Sequence, residues 1–544
     1  MAELTIVFRL RFAVAITAAV CLLLVFTAGD AGATQARYEY VVQMDRGASP
    51  AAGKRLVRTL GGRITSPTLR VINGFGASLG RKAATRLGKH PRVKSVSRNT
   101  RMARSSTDLS GGYTCPTADA TTLPTKAIGS GRTFEPTIVS SVTRLAQPMI
   151  SSVQADRAWW RTTGRGVGVA VIDTGVAGDV QDFQRLSDGS SRVIASAVTN
   201  PCAKDANDHY GHGTHVAGLI AGNSLAWPTG HNLYGRYMGV APRANIVSVK
   251  VSDDDGNTTV LDVINGLQFA VDNKAALGIR VVNLSLASMT AESYRTDPLD
   301  AAVEQAWFNG LTVVAAAGNE GATQDGVTFA PANDPWVVTV GALDDKGTWM
   351  RGDDSLAPWS SRGLTQDGVR KPDVLAPGVG LVSTLAVGSD FQDLCPGCVV
   401  DGRYFRAGGT SMATAVVSGA AALLLEDHPD WTPPQVKGAL VSTLDDVPGA
   451  GGVINTANAL NASSTFTVTL PPNELIDSAT RMIDWTRASF RRVSFRDASG
   501  TPYSTTWSRS SFRCECGFTE SGEVDPNRVS FRRVSFRKTT DFGW

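Results

Sequence analysis

Between residues 148 and 460 the chain repeats one pattern: a short apolar run, a turn, then a stretch with helical spacing. The runs 166–172, 246–251, 281–284, 311–316 and 337–340 are predominantly apolar and carry apolar residues on both faces, so each strand must be covered on both sides. The stretches 260–271 and 298–308 carry apolar residues at helical period between them. Doubly covered strands separated by helices define an α/β fold: a doubly wound parallel sheet with helices on both faces. That expectation also locates function, because open parallel sheets place their ligand sites at the carboxyl edge of the strands.

Three motifs fall where such a site would lie. The strand through Ile172 ends at Asp173-Thr174-Gly175; alone, the tripeptide is a turn or cap, and aspartic proteases carry it too. In Gly211-His-Gly-Thr-His-Val-Ala-Gly218, His212 opens a predicted helix, where a neutral imidazole can take a nucleophile's proton. Gly408-Gly-Thr-Ser-Met-Ala413 precedes the apolar stretch 416–425, so Ser411 begins a buried helix, either as its cap or beside backbone N–H groups that stabilise developing negative charge. A fourth piece, 313–321, runs from a strand into a polar turn in which Asn319 follows Gly318 and offers an amide donor. His209, His212 and His215 recur every three residues, but His-Glu-x-x-His is absent, which disfavours a catalytic metal. His215 reads as a packed partner.

Taken together, in the order Asp173, His212, Asn319, Ser411, these motifs resemble those of the subtilisin-like serine proteases, peptidase family S8. The resemblance implies that Ser411 is the nucleophile, His212 the general base and Asp173 the residue orienting it. Asn319 and the Ser411 N–H would hold the oxyanion, with no cofactor for the chemistry. It implies further that Ser285, Leu286, Ala287 and Gly318 contact an extended peptide. Ala287-Ser288 replaces the family's usual glycine pair, which would narrow the first specificity pocket, and Ala415 stands where the family commonly has proline. Asp182 matches a family calcium ligand, whereas 223–235 lacks the Asn-rich loop that completes the site; a structural calcium ion is left open. Residues 37–102, with a strand at 38–44 and a helix around 83–87, resemble the inhibitor-type (I9-like) prodomain through Ile72-Asn-Gly-Phe75 and 91–96. A prodomain would serve as chaperone and temporary inhibitor.

The flanks read differently. Arg9 and Arg11 precede an apolar run at 12–26, and Ala31-Gly32-Ala33 follows, the pattern of a cleaved signal peptide over 1–33. The run of about 15 residues is short of the ~20 that span a bilayer, so export without membrane insertion is expected. Removing Cys21 leaves six cysteines, compatible with three disulfides, and Cys395-Pro-Gly-Cys398 reads as a disulfide site rather than half of a zinc site. Residues 103–147 form a Ser/Thr/Gly/Pro-rich linker, 148–462 the catalytic domain and 463–544 a tail in which Ser-Phe-Arg-Arg-Val-Ser-Phe-Arg occurs at 489–496 and again at 530–537. The tail is either a basic aromatic patch or a solvated extension. A net charge of +4 gives no reason to expect nucleic acid as a partner. The expected protein is a secreted monomeric endopeptidase whose partners are protein or peptide substrates and its own prodomain. The alternative is a subtilisin-fold binding protein without turnover.

Overall fold

The computed structural model describes residues 37–45, 47–99, 102–104, 142–322, 327–474 and 476. The expected signal peptide, most of the linker and the repeats of the tail lie outside them.

The N-terminal unit is a small α+β sandwich. Strands β1 (Arg37–Met44), β2 (Arg63–Leu69), β3 (Gly74–Gly80) and β4 (Val93–Arg98) form an antiparallel sheet in the order β2-β3-β1-β4. Helices α1 (Pro50–Thr59) and α2 (Arg81–Gly88) cover it, burying Val57, Ala84 and Leu87 against Val42, Phe75 and Leu79. Helix α1 begins where Ser49 accepts a hydrogen bond from Ala52 N and Pro50 supplies a preset first helical φ. A short strand, β5 (Met102–Arg104), continues beyond this unit.

The large domain follows the alternation read from the sequence. Its strands and long helices run β6 (Gly168–Asp173), β7 (Val193–Val198), α3 (His212–Ala221), β8 (Asn245–Lys250), α4 (Val260–Leu277), β9 (Ile279–Leu284), β10 (Leu286–Ser288), α5 (Pro298–Phe308), β11 (Thr312–Ala316) and β12 (Val338–Asp344). The short strands β13 (Ser355–Leu356), β14 (Gly363–Leu364) and β15 (Arg370–Lys371) lead to β16 (Val374–Pro377), β17 (Leu381–Thr384), β18 (Val399–Val400) and β19 (Tyr404–Ala407). Helices α6 (Thr410–Asp427) and α7 (Pro433–Ser442) and strands β20 (Asp445–Val447) and β21 (Gly451–Val453) complete it. The main sheet has the order β20-β21-β16-β12-β11-β9-β6-β8-β7, parallel from β21 to β7.

Side-chain alternation explains why both faces are apolar. Val169, Val171, Val281 and Val314 pack with α3 and α6 on one face, whereas Ala170, Ile172, Val282 and Val313 pack with α4 and α5 on the other. Helix α6 is buried from Thr410 to Leu425, and its small residues allow close packing; a Cβ on Gly419 would stand 2.6 Å from Val240 Cβ, in the loop that follows α3. Helix α4 is closed at its start by a Thr259–Asp262 capping box and at its end by Gly278 in the left-handed region.

The domain does not stop at residue 462. Phe466 N donates to Pro434 O (2.9 Å), and buried Asn473 donates its N–H to the Glu304 carboxylate (2.9 and 2.8 Å) and its amide to Asp297 O (2.9 Å) and Tyr294 O. Residues 463–474 thus belong to the packed body, against the expected boundary.

Candidate active site

Three neighbouring strands deliver the candidate residues to one edge. Val171 of β6 lies opposite Asn283 of β9, and Asn283 lies opposite Val314 of β11. Two residues beyond Val171 is Asp173; two beyond Asn283 is Ser285; a few beyond Val314 come Gly318 and Asn319. All lie at the carboxyl ends of their strands, where the chain order reverses between β9 and β8 on either side of β6.

His212 and Ser411 arrive from helices. His212 opens α3 behind Gly211, whose φ of 105° is left-handed and open only to glycine at low cost; a Cβ there would also meet Phe391 Cβ at 2.9 Å. His212 Nδ1 lies 2.7 Å from Asp173 Oδ1, both fully or nearly fully buried. Asp173 Oδ1 also accepts from Thr174 N at 2.7 Å. With Nδ1–H donated to the carboxylate, Nε2 is left as an acceptor, and it has no hydrogen-bond partner among the described residues. Phe391 sets its ring edge-on to the imidazole with centroids 6.1 Å apart, forming an apolar wall.

Ser411 lies in the first turn of α6, next to β9's end: its Oγ donates to Ser285 O (3.2 Å), and Ser285 Oγ donates to Ser411 O (3.0 Å). Asn283 Nδ2 fixes Ser285 Oγ at 3.0 Å. Asn319 is held by one end. Its Oδ1 accepts from Thr410 N and Thr410 Oγ1, each at 3.0 Å, which leaves Nδ2 as the donor. Gly318, at φ 106°, donates its N–H to Thr410 Oγ1 (3.1 Å). Thr410, between Gly409 and Ser411, was not singled out in the sequence; its position beside Ser411 was the available signal.

The remaining sequence candidates also converge. Leu286 and Ala287 form β10, which pairs antiparallel with β5 so that Leu286 faces Arg104, Ala287 faces Ala103 and Ser288 faces Met102. The Ser288 hydroxyl donates to Thr290 O at 3.1 Å, so it is committed to its own loop. Ala415 lies inside an uninterrupted α6. The three histidines separate: His209 Nε2 pairs with Asp205 Oδ1 (3.0 Å), and His215 Nε2 reaches Phe405 O (3.0 Å) and Leu381 O (3.3 Å). Burial, reinforced by His212, lowers the His215 pKa to about 3, so it stays neutral. The Cys395–Cys398 pair is disulfide-bonded.

Asp182 does not suit calcium. Tyr404 Oη donates between its two carboxylate oxygens, 3.0 Å from each, and Trp227 Nε1 donates to Oδ1 at 2.9 Å. Calcium needs oxygen acceptors around it, and here two hydrogen-bond donors occupy the carboxylate. Burial pushes the Asp182 pKa up to about 7 against these donors, which favour the charged form.

The fold is thus α/β, with a buried carboxylate–imidazole pair and a helix-borne serine at the carboxyl edge of its parallel sheet. Residues 164–464 match the subtilase family, Peptidase S8. The chain belongs to the subtilase family. It is 38% identical over 308 residues to serine protease AprX of Bacillus subtilis, covering 56% of this chain and 66% of that protein. Subtilisin of Bacillus pumilus is 37% identical over 284 residues, covering 52% of this chain and 84% of the relative. Against the first of the curated relatives, therefore, the chain spans just under two thirds of their length. Fervidolysin of Fervidobacterium pennivorans, described as a keratinolytic enzyme related to subtilisin, shares the fold at 23% identity with a TM-score of 0.59, over 81% of this chain and 63% of that one.

Proposed function

We propose that this chain is a secreted serine endopeptidase made as a precursor, with residues 37–102 as an inhibitory prodomain. The observation that carries the reading is the 2.7 Å bond between His212 Nδ1 and Asp173 Oδ1 at the strand edge where Ser411 also lies. Ser411 Oγ attacks a peptide carbonyl while His212 Nε2 takes its proton; Asp173 holds the tautomer and stabilises the imidazolium. The carbonyl oxygen, now negative, is met by Asn319 Nδ2 and the Ser411 N–H. His212 returns the proton to the leaving amine, and water hydrolyses the acyl-enzyme by the same steps in reverse roles.

Substrate would add as a strand to β10, as β5 does within this chain. The inhibitory role of the N-terminal unit is supported by that strand and by its seat on the large domain. Val41, Leu69, Val71 and Ile72 share one apolar core with Val260, Leu261 and Ile264 of α4. Polar ties flank it: Val71 N donates to Gln268 Oε1 (2.7 Å), Leu261 N donates to Asn99 Oδ1 (3.0 Å), and Arg70 pairs with Asp272. Export rests on the N-terminal pattern of charge, apolar run and small residues. The test is hydrolysis of an unstructured protein by matured enzyme. Activity is expected in the wild type and lost in Ser411→Ala, and equal activity in the two would overturn the reading.

A further inference from the structure

We infer that Asp208 is a positioning residue for the His212–Asp173 pair; this rests on the peptidase reading above. Asp208 lies four residues before His212 in the loop joining β7 to α3 and is nearly fully buried. Its Oδ1 accepts from Gly211 N (2.8 Å) and from the Thr174 hydroxyl (2.8 Å), and its Oδ2 accepts from Thr214 N (2.7 Å). One carboxylate is thereby bonded to the residue after Asp173 and to residues on both sides of His212.

The need for this link follows from local chemistry. The N-cap of helix α3 is Gly211, which has no side chain to satisfy the exposed N–H groups of the first turn, so Asp208 caps it from outside. The strand end needs a matching tie, because a Cβ on Gly213 would stand 2.1 Å from Gly175 O: helix and strand are already in backbone contact there. Thr174 Oγ1 completes the bridge, accepting from Gly213 N (2.9 Å) while donating to Asp208. The loop carrying Asp208 is anchored in turn. Lys250, directly opposite Asp173 in the sheet register and fully buried, donates to Asn207 O (2.6 Å) and to Asp254 Oδ1 (2.7 Å). None of these bonds involves Ser285, β10 or Gly318, where substrate would bind. Loss of Asp208 should therefore change the imidazole's placement and leave substrate affinity alone.

The test uses matured Asp208→Ala, Asp208→Asn and Thr174→Val, any unprocessed precursor being converted with tagged wild-type enzyme that is then removed. Turnover is expressed per serine titrated with a fluorophosphonate. Displacement on the scale of an ångström lowers rate by about 10²-fold, so Asp208→Ala is expected to lose about that in kcat with KM unchanged. Asp208→Asn keeps an acceptor for Gly211 N and Thr174 but turns an amide toward Thr214 N, and should recover part of the loss. Thr174→Val, of similar shape, should lower kcat in the same sense and carries the test if Asp208→Ala does not fold. Variants that melt earlier but keep wild-type kcat, or that raise KM alone, overturn the inference and leave Asp208 a helix cap only. A wild type that hydrolyses nothing would instead overturn the peptidase reading itself.

Discussion

Replacing Tyr404 by Phe tests whether Asp182 is held by protein donors where a cation ligand was anticipated. Tyr404 is almost fully buried, and Phe retains its ring, so the change is confined to a hydroxyl that donates to the Asp182 carboxyl and accepts from Trp227 Nε1 at 3.1 Å. Trp227 keeps its bond to Asp182 Oδ1, so no donor is orphaned. Burial pushes the Asp182 carboxyl up to about 7, from the 3.8 of a solvated aspartate. Its contribution to stability is therefore full below the unfolded pKa and lost as pH rises through 7, where the buried carboxyl must ionise. The hydroxyl matters most to that ionised form: a hydrogen bond to a charged group contributes about 1.5–3 kcal/mol, against about 0.5–1.5 kcal/mol for a neutral pair. Tyr404→Phe should thus cost about 1 kcal/mol at pH 5 and about 2 kcal/mol at pH 8. The assay is urea unfolding followed by tryptophan fluorescence, in a Ser411→Ala background that prevents self-digestion, with and without a calcium chelator. Chelation should leave the Tyr404→Phe difference unchanged. A chelator-induced loss that Asp182→Asn abolishes, or a Tyr404→Phe effect equal at both pH values, would refute the reasoning.

Three further outcomes are expected. Asn319→Ala should lower kcat by about 10²–10³ with little change in KM, the loss typical of removing one oxyanion donor; steady-state kinetics on a peptide substrate checks it. Truncation after residue 476 should leave thermal stability and hydrolysis intact, whereas truncation after 462 removes Asn473 from Glu304 and Asp297 and should lower the melting temperature; equal melting of the two would contradict the packed boundary. N-terminal sequencing of matured protein should find its first residue shortly after Arg104, because β5 runs along β10 toward Ser285 and Ser411; a start before Met102 would contradict that placement.

Most of the fold and the elements that carry the candidate site were legible because their signals are local. The strands at β6, β8, β9, β11 and β12 are short apolar runs, and His212 and Ser411 sit in small-residue motifs that begin buried helices. What was not legible depends on partners distant in the chain. Strand β7 is an edge strand whose residues 194–198 are half-exposed, and Ala195, Ser196 and Ala197 give it little of the β-branched signal that marks a strand. Strands β13 to β19 have two to four residues each, too few for a period to register. The fate of Asp182 is decided by Trp227 and Tyr404, 45 and 222 positions away, and the domain's end by Asn473 meeting Glu304 across 169. Asp208 and Thr410 stood inside or beside the recognised motifs, yet only the fold shows that one ties the imidazole's helix to the strand of Asp173 and the other grips Asn319.

The most direct test of the central claim is covalent labelling of the matured protein by a fluorophosphonate, with the modified peptide identified by mass spectrometry. A single adduct on Ser411 is expected, strongly slowed in His212→Ala, because attack needs the buried imidazole to take the serine's proton. Adduct on another residue, or none on Ser411 in folded, matured protein, would contradict it.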